Sequence, residues 1–170
     1  MVTYMSTADI TKERVLELLA EIPDPEIPVI TIVELGIVRD VAIKQDGLEV
    51  KITPTYSGCP AMKMIENQIV EHMKESGFTD VSVVTTYTPA WTTDWLTPEA
   101  KEKMRRYGIA PPGMVADHTD ELFSFKPRPV SCPYCSSDNT ERQAEFGSTP
   151  CKAQYFCNDC REPFEHFKCH

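Results

Sequence analysis

No apolar run in this 170-residue sequence approaches the ~20 residues needed to cross a bilayer, so no membrane-spanning helix and no membrane partner are expected. The first residues, Met1-Val-Thr-Tyr-Met-Ser6, lack the basic cluster and apolar stretch of a secretory signal, and a cytoplasmic location is expected. Positive charge is scarce: 17 Lys and Arg stand against 26 Asp and Glu, a formal net charge of −9. A surface of that sign does not grip phosphate backbones, which argues against nucleic acid as a partner. Also missing are a Gly-rich phosphate loop, a GxSxG elbow and an HExxH helix. His72, His118 and His166 lie apart on an expected helix, linker and tail, and no catalytic residue is assigned.

What is present belongs to a globular chain, with 41% hydrophobic and 25% charged residues. Ile10, Val15, Leu18, Leu19 and Ile22 recur at helical spacing, and Pro23 stops that helix. Two alternating runs, Ile37 to Ile43 and Leu48 to Thr53, flank Gln45-Asp46-Gly47 and predict a β-hairpin. A helix is expected after Pro60, with Ala61, Met64, Ile65, Ile69 and Met73 on its inner face and Gly77 ending it. A third strand follows at Val81 to Tyr87, then a charged helix from Pro98 to Tyr107 closed by Gly108. This order predicts an α+β fold, a small mixed sheet with helices on one face. The expected domains are residues 1–112, a linker at 113–130 with one apolar contact at Leu122, Phe123 and Phe125, and a small β unit at 131–170.

The cysteines are the strongest signal. Seven occur, Cys59 and six from Cys132 onward, and an odd number without a signal peptide points to reduced thiols. Cys132-Pro-Tyr-Cys135 and Cys157-Asn-Asp-Cys160 are two CxxC pairs separated by 21 residues. Each pair sets two thiolates on one side of a tight turn, and two turns complete a tetrahedron, so these four are predicted metal ligands of a zinc ribbon. A unit of roughly 40 residues rarely folds on apolar burial alone. Structural zinc supplies about 10–16 kcal/mol, enough to act as the core. Four thiolates also suit iron in a rubredoxin-like site, which remains the alternative.

Cys59 precedes Pro60 at an expected helix N-terminus, where unpaired N–H groups and the helix dipole favour a thiolate. It is either an ionised sulfur able to hold a soft metal or attack an electrophile, or an inert cysteine capping the helix. Asp24, stiffened between Pro23 and Pro25, is either a presented carboxylate or a turn-forming one. Cys151 and Cys169, with His170, are spare thiols or a second soft-metal position.

Taken in order, Asp24-Pro-Glu26, Val33-Glu-Leu-Gly-Ile-Val-Arg-Asp-Val41 and Thr53-Pro-Thr-Tyr-Ser-Gly-Cys-Pro60 resemble the small family associated with iron–sulfur cluster assembly. Pro89-Ala-Trp91, Gly108-Ile-Ala-Pro-Pro112, Phe146-Gly-Ser-Thr-Pro-Cys-Lys-Ala153 and Phe167-Lys-Cys-His170 narrow the resemblance to the D-subunit family of the phenylacetate-degradation system, encoded with phenylacetyl-CoA epoxidase. The resemblance implies an assembly domain of roughly 100 residues followed by a zinc ribbon. It implies an accessory role, not an enzyme: help in inserting or repairing an iron–sulfur cluster or iron in a di-iron oxygenase or its flavin- and [2Fe–2S]-bearing reductase. It places a reactive cysteine at Cys59 and an acidic partner at Asp24, as transient ligands of an iron–sulfur cluster or iron. One cysteine per chain holds a cluster only loosely, so a homodimer pairing two Cys59 residues fits the same reading. A structural adaptor docking reductase to oxygenase is the alternative.

Overall fold

The computed structural model describes residues 11–44, 47–113 and 130–168. The described chain divides into two units, up to Trp91 and from Thr92. Among the described residues no helix is long and apolar enough to cross a membrane.

In the first unit, helix α1 (Lys12–Leu19) starts at Thr11, whose hydroxyl accepts from the Arg14 N–H. It buries Val15, Leu18 and Leu19. Strands β1 (Val38–Lys44) and β2 (Gly47–Ile52) run antiparallel, with Val41 opposite Val50 and Ile43 opposite Leu48. Helix α2 (Met62–Glu75) then carries the chain to β3 (Val81–Thr85), which pairs parallel with β2. The sheet order is β1-β2-β3, mixed as expected. Its period of two puts Val41, Leu48, Val50 and Ile52 on the buried face, where the apolar stripe of α2 (Ile65, Ile69, Met73) supplies the other half of the core. The opposite face holds Asp40, Lys44, Glu49 and Lys51.

The segment between α1 and β1 is not a bare surface loop. Ile27, Ile30, Ile32, Leu35 and Ile37 are all buried. Such a segment must satisfy its backbone internally. It does so through Asp24 N–H to the Ile30 carbonyl (2.9 Å), Ile32 N–H to the Ile22 carbonyl (3.1 Å), and a reciprocal pairing of Thr31 and Glu34 side chains with each other's N–H groups. The Trp91 indole closes the unit by donating to the Leu35 carbonyl at 2.9 Å.

The second unit runs from Thr92. Helix α3 (Pro98–Tyr107) has the expected bounds, with Thr97 as its N-cap and Gly108 at φ +90° ending it. Strand β4 (Ile109–Ala110) follows at once and pairs parallel with β7 (Pro163–Phe167). With β5 (Thr140–Ala144) and β6 (Lys152–Cys157) the sheet runs β4-β7-β6-β5. In this division residues 92–110 group with the cysteine-rich sheet. The expected linker contact at Leu122, Phe123 and Phe125 lies outside the described residues, as does His118.

Candidate functional site: a four-cysteine metal centre and the Cys59 loop

The two CxxC turns of the second unit are built alike. The Ser136 N–H donates to the Cys132 carbonyl (2.9 Å), and the Arg161 N–H to the Cys157 carbonyl (3.0 Å). In return the Cys132 and Cys157 N–H groups donate to the carbonyls of Ser137 (2.9 Å) and Glu162 (3.0 Å). Closing each turn requires a left-handed residue after its second cysteine, and Ser136 (φ 61°) and Arg161 (φ 65°) fill those positions. Neither is glycine or asparagine, so no sequence signal marked them.

This repeat brings the four sulfurs together. All lie within 4.8 Å of one another, with Cys132–Cys160 and Cys135–Cys157 at 3.6 Å. A zinc–sulfur bond of about 2.3 Å gives a tetrahedral edge of about 3.8 Å, so the cage has the dimensions of a four-thiolate metal site and not of a disulfide pair. Crowding shifts the Cys157 and Cys160 thiols in opposite directions. The Cys160 N–H pulls the Cys157 thiol down to about 7 and outweighs its desolvation. Cys160 is pushed up to about 12: the Glu162 N–H pulls down, but desolvation and the three neighbouring sulfurs prevail. A divalent cation resolves this conflict by stabilising all four as thiolates.

Part of the cage belongs to a small apolar cluster. Cys132 and Cys157 are buried with Ala110 and Phe164, and Val130, Tyr155 and Cys160 pack against them. Phe164 stacks on Tyr155, with ring centroids 5.7 Å apart. The Phe146-to-Ala153 stretch is organised by Glu165, whose carboxylate accepts from the Ser148 N–H (2.6 Å) and pairs with the buried Lys152 ammonium (2.9 Å). Cys151 is buried beside the Thr149 hydroxyl, 3.1 Å away, and is not among the four clustered sulfurs. Cys169 and His170 lie outside the described residues. His166 is partly buried, and that desolvation, with Lys168 nearby, depresses it to about 4.

In the first unit the Thr53–Ala61 loop holds Cys59 at the foot of α2, with the Cys59 N–H donating to the Tyr56 carbonyl (3.2 Å). The sequence left Cys59 either an ionised sulfur or an inert cap, and its surroundings in the structure favour the thiol. Burial pushes its pKa up; the Ala61 and Met62 N–H groups pull down as expected at a helix start, and the charges of Glu26 and Asp24 push it up further. Asp24 and Cys59 therefore share one neighbourhood, and Glu26, which sequence reasoning did not single out, belongs to it. Asp24 is 4% exposed. Its Oδ1 accepts from the Glu26 N–H (2.9 Å) and the Ile27 N–H (2.8 Å), so the turn-forming role is real.

Fold and site describe an α+β domain joined to a ribbon with a four-cysteine metal cage, and comparison with known proteins agrees. Residues 12–85 match the family model described as iron-sulfur cluster assembly protein, and residues 117–168 match the PaaD zinc beta ribbon domain. An Escherichia coli (strain K12) protein provisionally named as the D subunit of 1,2-phenylacetyl-CoA epoxidase is 53% identical over 89% of this chain and 89% of its own length. A Bacillus subtilis (strain 168) Fe-S protein maturation auxiliary factor is 35% identical over 53% of this chain and 89% of its own. A solved structure, a conserved hypothetical protein from Thermotoga maritima, is 35% identical over 59% of this chain and 98% of its own, with a TM-score of 0.49. The chain belongs to the D-subunit family of phenylacetyl-CoA epoxidase.

Proposed function

We propose that this protein is a maturation factor of a phenylacetyl-CoA epoxidase system, acting on the iron–sulfur or iron centre of its oxygenase or reductase subunits without catalysing the epoxidation. The observation that carries the reading is the grouping of the Cys59 thiol with the Asp24 and Glu26 carboxylates in the domain that matches iron–sulfur assembly proteins.

The charges that hold the proton on Cys59 are also those that attract a cation. An arriving iron centre reverses the local electrostatics and displaces the thiol proton, so binding and proton release are one event. A single thiolate is a weak hold, because iron–sulfur clusters are retained chiefly by several. That weakness suits delivery, since the cargo leaves when a client protein offers a fuller ligand set. Cys132, Cys135, Cys157 and Cys160 would hold a structural zinc that stabilises the ribbon and takes no part in transfer.

Anaerobic purification with counts of zinc, iron and acid-labile sulfide tests the assignment. The expected result is one zinc per chain with substoichiometric iron and sulfide, and loss of the iron but not the zinc in Cys59→Ser. One zinc and no iron, even after reconstitution, would leave a docking adaptor between reductase and oxygenase in its place.

A further inference from the structure

The two CxxC turns come from segments 21 residues apart, yet the four sulfurs stand at near-tetrahedral spacing. Besides the β5–β6 pairing and the shared apolar cluster, a polar seam holds one turn against the other. Asp159 lies between Cys157 and Cys160 in the second turn. Its Oδ2 accepts from the Ser137 hydroxyl and its Oδ1 from the Asn139 side-chain amide (2.7 Å), both just beyond the first turn. The Asn139 N–H donates to the same Ser137 oxygen (3.0 Å), and the Asn158 N–H donates to the Asn139 carbonyl (2.9 Å).

We propose that Asp159 is the positioning residue of the metal centre, clamping the two cysteine turns at the spacing the ion requires. Its charge cannot be there to favour the loaded site, because zinc with four thiolates already carries two negative charges. Its value lies in geometry: two oxygens on one short side chain reach two donors on the opposite turn. The seam is largely exposed, and its strength sets how readily the cage releases its ion. Partners of this kind beyond the ligands typically alter metal affinity by about 10–100-fold.

The inference rests on the four-cysteine cage holding a metal, and the test separates the two claims. Full-length protein loaded with zinc is mixed with a chromogenic chelator, and the release rate is compared among the parent, Asp159→Ala, Ser137→Ala and the double variant. The cobalt(II)-substituted forms report tetrahedral sulfur ligation in their visible spectra. About 10–100-fold faster release is expected for Asp159→Ala. A smaller acceleration is expected for Ser137→Ala, and release from the double variant no faster than from Asp159→Ala alone. Cobalt bands of Asp159→Ala should broaden while the backbone circular dichroism of the zinc form stays that of the parent. Release within twofold of the parent in both single variants would overturn the clamp, as would strictly multiplicative effects in the double variant. A parent that binds no stoichiometric zinc or cobalt would overturn the metal centre itself, and the clamp with it.

Discussion

Asp24 ties its own loop and also charges the surroundings of Cys59, and two substitutions separate these effects. Asp24→Ala removes the acceptor of two backbone N–H groups at a buried position. Leaving them unmet should cost about 1–3 kcal/mol, read as a lower denaturant midpoint of the first unit. Asp24→Asn keeps an oxygen for those donors and removes the charge, so it should fold while lowering the Cys59 pKa. Glu26→Gln should lower it as well. The sign follows from linkage: a negative neighbour disfavours the thiolate, so the parent stays protonated to higher pH than an unperturbed cysteine. The rate of Cys59 alkylation against pH measures this directly. A midpoint that does not fall in either variant would separate the carboxylates from the thiol. Ser136 offers a second test at this scale. At φ 61° a β-branched side chain is strained, so Ser136→Val should destabilise the metal-loaded ribbon by about 1–2 kcal/mol while Ser136→Gly is tolerated, as melting of the zinc form would report.

At the scale of elements, the predicted order of helices and strands from α1 to α3 matches the structure, and α3 matches to the residue, because its signals are local: a Thr97 cap, Pro98 at the first position and Gly108 at the end. What the sequence hid was long-range or electrostatic. The two residues of β4 carry no periodicity, and only their pairing with β7 assigns residues 92–110 to the second unit. The helix start left Cys59 either an ionised sulfur or an inert cap; burial and Glu26, distant in sequence, raise its pKa. The CxxC pairs were legible because their chemistry is written in the spacing, whereas the Asp159 seam is ordinary polar sequence until folded. The grouping of α3 and β4 with the ribbon makes a prediction. Ala110 packs with Cys132 and Cys157, and Gly108 lies against the Tyr134 hydroxyl, which an added Cβ would displace. Stripping the metal with a chelator should therefore expose α3 and Ile109–Ala110 to hydrogen exchange along with β5–β7. Retained protection in α3 would return residues 92–110 to the first unit.

At the scale of the whole molecule, two kinds of stability coexist in one chain. The first unit carries an ordinary core of α1, α2 and the inner sheet face, with Val15, Val50, Ile65 and Ile69 fully buried. The second buries Ala100, Met104 and Phe167 and has a separate apolar cluster around its cysteines, where a bound ion would add stability. If zinc is structural and Cys59 carries the cargo, damage to the cage should spare the Cys59 loop. In the full-length Cys132→Ser variant, zinc should be lost and β5–β7 should exchange freely. The α2 amides should stay protected and the Cys59 alkylation profile should keep the parent's midpoint, while reconstitution still loads iron as in the parent. The iron count is the deciding reading. Iron that disappears with Cys132→Ser would mean that the ribbon supplies thiolates to the cargo, and the division into a structural metal and a transferred one would fall.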